Sequence, residues 1–361
     1  MYMKVIDLFC GCGGLSYGFH LAGYKIIGGI DFNSEAIKTF KFNFAKANAV
    51  CCDLLEMNED RIFHTFGDLK DIDVIIGGPP CQGFSSANRY RKEEEDIRNK
   101  LFFEFVKFVD IAKPKAIVIE NVRGILSKDN GYAKDRIYEI FESKGYFVNH
   151  NLLDASEYGV PQKRIRNFFV MLKKERFNFE TIIKVRIKVT VKDAIEELYT
   201  LEEQPKKDVY ILENAPDNVY RKYLRNNGNT IENHEICYPT ETVQKRISFV
   251  KQGGNWQSIP SELFDNNRNN RHSSAYKRLA EDDVSVTIDT GNAHSNYFHP
   301  LFNRIPTVRE AARLQSFNDA FIFQGSKSAQ HKQVGNAVPP LLAKSLALAI
   351  KETIQNEKQD H

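Results

Sequence analysis

The sequence has no long apolar stretch: none of its segments reaches the run of about 18 apolar residues that a membrane-spanning helix requires. Its first residues, MYMKVIDLFCGCGG, carry no basic segment that leads into an apolar one, so they do not indicate a secretion signal. The six cysteines lack the C-x2-C spacing of zinc sites. These absences predict a cytoplasmic protein with reduced thiols and with neither a metal ion nor a membrane partner.

An excess of one charge is also missing, because 50 Lys and Arg residues stand against 47 Asp and Glu residues. The net charge of +3 permits a polyanionic partner without indicating one. With 42% hydrophobic and 27% charged residues, the composition excludes a disordered or fibrous chain. At 361 residues the chain exceeds the size at which one hydrophobic core stops growing, so we expect one large domain and a smaller one.

Short apolar runs without polar alternation recur before residue 150: KVIDLF, YKIIGGID, NAVCCD, DVIIGG and KAIVIEN. Such runs are typical of parallel strands that are covered by helices on both faces, and the stretches between them are long enough for crossover helices. The pattern predicts a doubly wound, mostly parallel α/β domain. From about residue 186 to 303 the alternation fades into polar, Asn-rich sequence, which predicts a smaller irregular lobe.

The segment DLFCGCGGLSYGF is typical of a strand, a glycine turn and the start of a helix, where backbone at Gly11 can approach a ligand closely. Ser16 stands where the dinucleotide fingerprint has its third glycine, which disfavours a nicotinamide cofactor and hence a dehydrogenase. Asp31 ends the second strand, where a carboxylate can bind a ribose hydroxyl pair, and Asp53 ends the third. Phe32 either stacks on an adenine or packs against a helix. A nucleoside-like ligand is indicated.

The segment GGPPCQGFS, residues 77 to 85, places Cys81 directly behind two prolines. Prolines fix φ and remove backbone donors, so they hold the thiol in one orientation. An isolated cysteine is more often a buried packing residue, but this setting favours a nucleophile. Glu120 ends the next strand of the sequence. Because the carboxyl ends of parallel strands meet at one edge of an open sheet, we expect Cys81 and Glu120 to be neighbours.

These segments resemble those of the bacterial DNA (cytosine-5)-methyltransferases. The matching stretches are DLFCGCGG, GGPPCQGFS, ENV at 120–122, QKRIR at 162–166, RIPTVREAARLQSF and QVGNAVPP at 333–340. They occur in the order of the family and span nearly the whole chain. The resemblance implies a sheet of the S-adenosylmethionine-dependent methyltransferase type, with S-adenosylmethionine as methyl donor and duplex DNA as substrate. It also implies that the irregular lobe is a target-recognition domain.

The resemblance implies the following chemistry. The Cys81 thiolate adds to C6 of cytosine, because C5 alone is a poor nucleophile. Glu120 donates or shares a proton at N3, and Asn121 helps to position that edge. Arg164 is the expected partner of the cytosine O2 and of Glu120, with Arg166 in support. Two arginines at positions i and i+2 are, by themselves, also typical of a solvated strand face.

The same resemblance assigns the ligand contacts. It places around S-adenosylmethionine the residues Phe9, Gly11, Gly13, Asp31, Phe32, Asp53, Leu54, Pro79 and Asn336. Because the chemistry cannot reach a stacked base, the family flips the cytosine out of the duplex. Ser85, Ser86 and Arg89 are candidates for phosphate contacts or for filling the vacated space, and a surface loop without such a role is the alternative.

A local basic excess supports DNA binding by the irregular lobe. Residues 244–278 hold seven Lys or Arg residues against two acids; the basic positions are 245, 246, 251, 268, 271, 277 and 278. Arg246, Arg268 and Arg271 are the candidates chosen for DNA contact, because arginine suits both phosphate and guanine. A charged, solvated loop is the alternative for each of them.

The predicted domains are a catalytic and cofactor-binding domain at 1–185, a target-recognition domain at 186–326, and a C-terminal segment at 327–361 that returns to the first domain. We expect a monomer that is the functional partner of a restriction endonuclease. Two other functions stay open: a transfer-RNA cytosine-5 methyltransferase and a non-catalytic DNA-binding protein on the same fold. The GFSS after Cys81 and a lobe of about 115 residues favour DNA over transfer RNA, by resemblance alone.

Overall fold

The structure is a computed structural model. It describes residues 2–80, 97–127, 131–203, 207–264, 275–290 and 297–356, and for residues 97 and 98 it describes the backbone alone. Six of the predicted site residues lie outside these ranges: Cys81, Ser85, Ser86, Arg89, Arg268 and Arg271.

The chain forms two compact units. Unit 1 comprises Met1–Asp154, Ile165–Lys184 and Pro340–His361, and unit 2 comprises Ala155–Arg164 and Val185–Pro339. Unit 2 differs from the predicted target-recognition domain at 186–326. It includes Ala155–Arg164 and ends at Pro339. Only the part of the C-terminal segment from Pro340 onward belongs to unit 1.

Within the described residues, unit 1 is built on a seven-stranded sheet with the order β3-β2-β1-β4-β5-β7-β6. Its strands are β1 (Lys4–Leu8), β2 (Lys25–Asp31), β3 (Asn48–Cys51), β4 (Val74–Gly77), β5 (Ala116–Val122), β6 (Phe147–Asp154) and β7 (Ile165–Leu172). The first five strands pair in parallel, and β7 is antiparallel to both of its neighbours. The predicted fold class is confirmed, and β1 to β5 coincide with the five apolar runs.

Helices cover this sheet because each presents an apolar side to it. They are α1 (Gly14–Leu21), α2 (Ser34–Asn43), α3 (Glu59–Phe66), α4 (Ile97–Ala112), α5 (Tyr132–Ser143) and the C-terminal α11 (Pro340–Asn356). Phe102, Phe105 and Phe108 of α4 are fully buried, since they recur at helical spacing. Helix α11 packs so closely on α1 that a β-carbon at Gly18 would lie 2.3 Å from that of Ala343.

In the part of unit 2 that the structure describes, regular structure is sparse. The strands there form two short pairs, β8 (Tyr210–Ile211) with β9 (Thr230–Ile231) and β10 (Lys277–Arg278) with β11 (Tyr297–Phe298). Its helices are α6 (Val191–Ile195), α7 (Val219–Arg225), α8 (Glu241–Ser248), α9 (Val308–Leu314) and α10 (Lys327–Asn336). Thr307 and Glu310 form a capping box at the start of α9.

A buried layer of charge surrounds α9. Arg304, Arg309 and Arg313 are fully buried, and each is held by carboxylates or carbonyls. Arg304 pairs with Glu310 at 2.8 Å, and Arg313 pairs with Asp319 at 2.7 Å. Buried charges are tolerated only when they are paired and hydrogen-bonded, so this layer makes unit 2 depend on polar complementarity as well as on apolar packing.

Three buried histidines of unit 2 predict acid lability. Burial lowers the pKa of His299 to about 3 and those of His234 and His331 to about 4. Because these values lie below the unfolded pKa of about 6.5, the stability that the neutral rings contribute is complete above that pH and is lost as the pH falls. We expect the free energy of unfolding to drop by about 1.4 kcal/mol per pH unit for each histidine below about pH 6.5.

Urea unfolding curves at about pH 7.5, 6.5 and 5.5 measure this slope. The exposed His64 provides a control, since His64→Gln should keep the wild-type slope. A stability that does not change over this pH range would contradict the prediction.

Candidate active site

The chain before Cys81 lies against the end of β5. Strands β4 and β5 pair in parallel with Gly77 opposite Ile119, so Gly78 meets the residues that follow Ile119. A β-carbon at Gly78 would lie 3.3 Å from Oε2 of Glu120. The Asn121 side-chain nitrogen donates to the carbonyl of Pro79 at 3.1 Å. Glu120 and Asn121 therefore flank the backbone that leads into Cys81.

Glu120 forms an ion pair with Arg166. The Arg166 Nε lies 3.0 Å from Glu120 Oε1, and each side chain is 17% exposed. Strand β7 brings them together, because Arg166 is paired with Val122, two residues beyond Glu120 and on the same face. The result is a largely buried acid whose orientation is fixed by the arginine.

Arg164 donates hydrogen bonds to two backbone carbonyls of unit 2. It belongs to unit 2, where its side chain is 1% exposed and donates from Nη1 to the Ile288 carbonyl and from Nη2 to the Gly335 carbonyl, each at 2.8 Å. Arg166, which was expected only in support, pairs with Glu120 because it follows the alternation of β7, which begins at Ile165. The expected partnership of Arg164 with Glu120 and the cytosine O2 stays a prediction.

The glycine turn after β1 is held by Asp31. Phe9, Gly11 and Gly13 have φ angles of 67°, 54° and 100°, which turn the chain sharply between β1 and α1. The Gly11 N–H and the Asn33 N–H each donate to the Asp31 carboxylate at 2.8 Å. Burial raises the pKa of Asp31, and these backbone hydrogen bonds oppose the rise. A carboxylate thus stands at the turn with its position fixed by backbone.

The other predicted cofactor residues of unit 1 share this sheet edge. Asp31 is in register with Cys51, so Phe32 and Asp53 follow neighbouring strand ends. Phe32 is 77% exposed, which is unusual for a packing residue and suits a stacking one. Asp53 caps the short helix that begins at Leu54 by accepting from the Leu55 N–H at 3.0 Å. Leu54, which follows Asp53, and Pro79, which follows β4, are both buried.

These residues fit a nucleoside ligand. No atom lies within 4 Å of a β-carbon built at Gly11, so the turn is open toward solvent at that point. An open turn, a carboxylate suited to a ribose, an exposed aromatic ring and a second carboxylate meet the needs of an adenosine group. Asn336 is exposed at the end of α10 in unit 2, between buried neighbours.

Sequence reasoning missed the partner of Ser16. The Ser16 hydroxyl donates to the buried carboxylate of Asp7 at 2.6 Å, and burial raises the pKa of Asp7 to about 7. This bond gives a structural reason for a serine where a dinucleotide site has glycine. The signal in the sequence was the single acid inside the apolar run KVIDLF.

Part of the predicted basic cluster is engaged within unit 2. Arg246 donates from Nε to the Leu263 carbonyl at 2.7 Å and stacks on the ring of Phe264 at 4.9 Å. Arg278 is only 8% exposed, and its guanidinium donates to the carbonyls of Ile247, Val250, Pro300 and Leu301. Its expected membership of a phosphate-binding cluster is therefore wrong, because its donors stabilise loop backbone. Lys245 and Lys251 are exposed.

Among the residues that the structure describes, no group of three or more His, Cys, Asp or Glu side chains is arranged to hold a metal ion. No helix in that part of the chain is long and apolar enough to cross a membrane.

The mostly parallel seven-stranded sheet with helices on its faces is the fold of the α/β methyltransferase class. The chain belongs to the C-5 cytosine-specific DNA methylase family, whose model matches residues 3–352. It is a DNA (cytosine-5)-methyltransferase of the bacterial restriction-modification type.

Curated relatives match over the full length. The type II methyltransferase M.DdeI of Desulfomicrobium norvegicum is 37% identical over 98% of this chain and 90% of its own. The type II methyltransferase M1.HphI of Haemophilus parahaemolyticus is 37% identical over 99% of this chain and 89% of its own. A crystal structure described as a DNA modification methyltransferase encoded within an E. coli prophage has a TM-score of 0.80, with 27% identity over 98% of this chain and 99% of that chain.

Proposed function

We propose that the protein transfers a methyl group from S-adenosylmethionine to C5 of a flipped-out cytosine in duplex DNA, by way of a covalent bond between Cys81 and C6. The observation that carries this proposal is the ion pair of Glu120 with Arg166, held against Gly78 at the strand edge that leads into Cys81. A protein that needed only affinity for DNA would have no use for a fixed acid at this point.

The thiolate of Cys81 forms a bond to C6, and the electron pair of the C5–C6 double bond becomes available at C5 as charge moves toward N3. Glu120 contacts N3 and stabilises the developing charge by sharing a proton with it as the charge builds up. Arg166 holds the Glu120 carboxyl in place and presents its remaining donors to the cytosine O2. Asn121 fixes the Pro79 carbonyl and thereby the approach of the thiol.

Bound S-adenosylmethionine supplies the methyl group that C5 receives. The C5 proton then leaves to a base, the C6–S bond breaks, and Cys81 is released as thiolate while the aromatic ring is restored. Asp31 is suited to the ribose hydroxyls, Phe32 to a face of the adenine, and Asp53 to its exocyclic amine. We assign Phe9, Gly11, Gly13, Leu54, Pro79 and Asn336 to the same cofactor.

DNA contacts are proposed for the segment after Cys81 and for unit 2. Ser85, Ser86 and Arg89 would contact phosphates or fill the space left by the flipped base. In unit 2 we retain Arg268 and Arg271, together with Arg246, whose stacking on Phe264 makes it partly structural. We further propose a cytoplasmic monomer that shares its target sequence with an endonuclease without having to bind it.

Bisulfite sequencing of plasmid DNA from cells that express the protein tests this function. In a host without other cytosine methylation, we expect protected cytosines confined to one short sequence, and none with an empty vector. The Cys81→Ser variant is the negative control, because a serine hydroxyl is a far weaker nucleophile for C6. Soluble wild-type protein that binds S-adenosylmethionine but protects no cytosine would overturn the proposal and direct the same assay to transfer RNA.

A further inference from the structure

Asn336 is exposed although its neighbours are buried. It ends α10, while Val334, Gly335 and Ala337 on either side are buried. The last carbonyls of a helix lack partners inside the helix and must be satisfied from elsewhere. Because the Asn336 side chain is short, the backbone of this segment determines where its amide group lies.

Two side chains distant in sequence satisfy these carbonyls. The amide nitrogen of Gln315 donates to the Val334 carbonyl at 2.8 Å and to the Ala337 carbonyl at 3.0 Å, one on each side of Asn336. Arg164 donates to the Gly335 carbonyl between them at 2.8 Å. The positive charge of Arg164 also lies at the negative end of the α10 dipole. The backbone around Asn336 is thus held by side chains at three carbonyls, those of Val334, Gly335 and Ala337.

The side chains of Gln315 and Arg164 are in turn held by further hydrogen bonds. Gln162 donates from its amide nitrogen to the Gln315 side-chain oxygen, and its own side-chain oxygen accepts from the Ile288 N–H at 2.8 Å. Arg164 bonds the Ile288 carbonyl with its other terminal nitrogen. Gln162 and Gln315 are fully buried. Every polar atom of the Gln315 amide is therefore engaged, and its orientation is determined.

Close packing at Gly335 also limits the movement of this segment. A β-carbon at this position would lie 2.5 Å from the carbonyl carbon of Asp289, so the backbone of α10 touches the backbone of the neighbouring strand-like segment. A shift of Asn336 toward that segment is excluded by contact. A shift away from it would break the bonds from Gln315 and Arg164.

We propose that Gln315 is a positioning residue for Asn336: it sets the place from which the Asn336 side chain meets the cofactor, and Arg164 assists it. The inference rests on the proposed role of Asn336 in cofactor binding. It gives Arg164 a positioning role, and the chemical role expected of Arg164 stays a prediction. Gln315 itself touches neither cofactor nor cytosine and acts only through the backbone of residues 334–337.

A double-mutant cycle in the full-length protein separates positioning from simple loss of stability. Isothermal titration with S-adenosylmethionine gives Kd for the wild type, Gln315→Met, Asn336→Ala and the double variant. We expect each single change to weaken binding by about tenfold, and the double variant to be no weaker than Asn336→Ala alone. Methionine has nearly the shape of glutamine, so the cavity term is small while the two donated bonds are lost.

Gln333→Met is the matched control. Gln333 is also buried, lies one turn earlier in α10, and donates to the Gln324 carbonyl at 2.9 Å. The Gln333→Met change should lower the midpoint of thermal unfolding as Gln315→Met does, and it should leave the Kd for S-adenosylmethionine at the wild-type value. If Gln315→Met does not fold, Gln315→Asn keeps the amide on a shorter side chain and enters the same cycle.

The outcomes are distinguishable. Two results would overturn the inference alone. In the first, the losses in affinity from Gln315→Met and Asn336→Ala multiply in the double variant. In the second, the Gln315→Met protein binds S-adenosylmethionine as tightly as the wild type. An Asn336→Ala variant that binds S-adenosylmethionine as tightly as the wild type would remove Asn336 from the cofactor site and the inference with it. A wild type that does not bind S-adenosylmethionine at all would refute the proposed function instead.

Discussion

Glu120→Gln is expected to lower kcat for methyl transfer by about 10²–10⁴-fold, with the affinity for S-adenosylmethionine unchanged. Glutamine keeps the size of the side chain and can still contact N3, but it has no acidic proton to share as charge develops there. The loss therefore falls on the transition state and not on the ground state, so kcat falls while the KM for DNA stays close to the wild-type value. The ion pair with Arg166 at 3.0 Å is lost as well, which frees the guanidinium to turn away.

Single-turnover transfer of a labelled methyl group to a plasmid measures this effect, because it isolates chemistry from product release. Glu56→Gln is the matched control: Glu56 pairs with Arg61 at 3.2 Å, but its side chain is 63% exposed. That change should leave kcat unaltered. An unchanged kcat in Glu120→Gln would remove the carboxyl from the chemistry and leave it a structural partner of Arg166.

Glu310→Gln is expected to destabilise unit 2 by about 3–5 kcal/mol, the usual result of removing one partner from a buried ion pair. Glu310 is fully buried and accepts from Arg304 at 2.8 and 2.9 Å and from the Thr307 N–H at 2.7 Å. Burial alone would raise the pKa of Glu310, but the charge of Arg304 outweighs it and holds this pKa well below its ordinary range. Glutamine leaves the Arg304 charge buried, with Glu202 as its remaining carboxylate.

Urea unfolding followed by tryptophan fluorescence gives the free energy directly for this unit. Trp256 is the only tryptophan of the sequence and lies in unit 2, so its emission reports that unit without interference. Glu241→Gln, at the exposed first turn of α8, serves as control with an expected change within about 0.5 kcal/mol. A loss below about 1 kcal/mol in Glu310→Gln would show that the pair contributes little to folding.

The site residues that the sequence predicts are those at or directly after the carboxyl end of a strand. Asp31, Phe32 and Asp53 were assigned because the carboxyl ends of parallel strands share one edge, and the structure places them there on β2 and after β3. Glu120 was assigned by the same rule and lies beside Gly78. Continuous apolar runs identify such strands because helices bury both of their faces.

The sequence predicts the partners of arginine side chains less well. QKRIR offers two of them, and which one meets Glu120 depends on where β7 begins, a boundary that no residue in the sequence marks. Arg246 and Arg278 belong to a basic stretch, but composition does not distinguish a guanidinium that faces phosphate from one that satisfies loop carbonyls. That distinction depends on segments such as Pro300 and Leu301, which are distant in sequence.

The sequence by itself determined the α/β class and the order of the family's segments, and it predicts Cys81 as nucleophile and the carboxyl edge of the sheet as the place where ligands bind. These follow from local patterns: apolar runs, glycine turns, and the residues that directly follow a strand. Only the tertiary structure decided the partner of Glu120, the bond of Ser16 to Asp7, and the clamp of Gln315 and Arg164 around Asn336. Such contacts join residues that are distant along the chain, and a side chain donates to whichever acceptor the fold brings within about 3 Å of it.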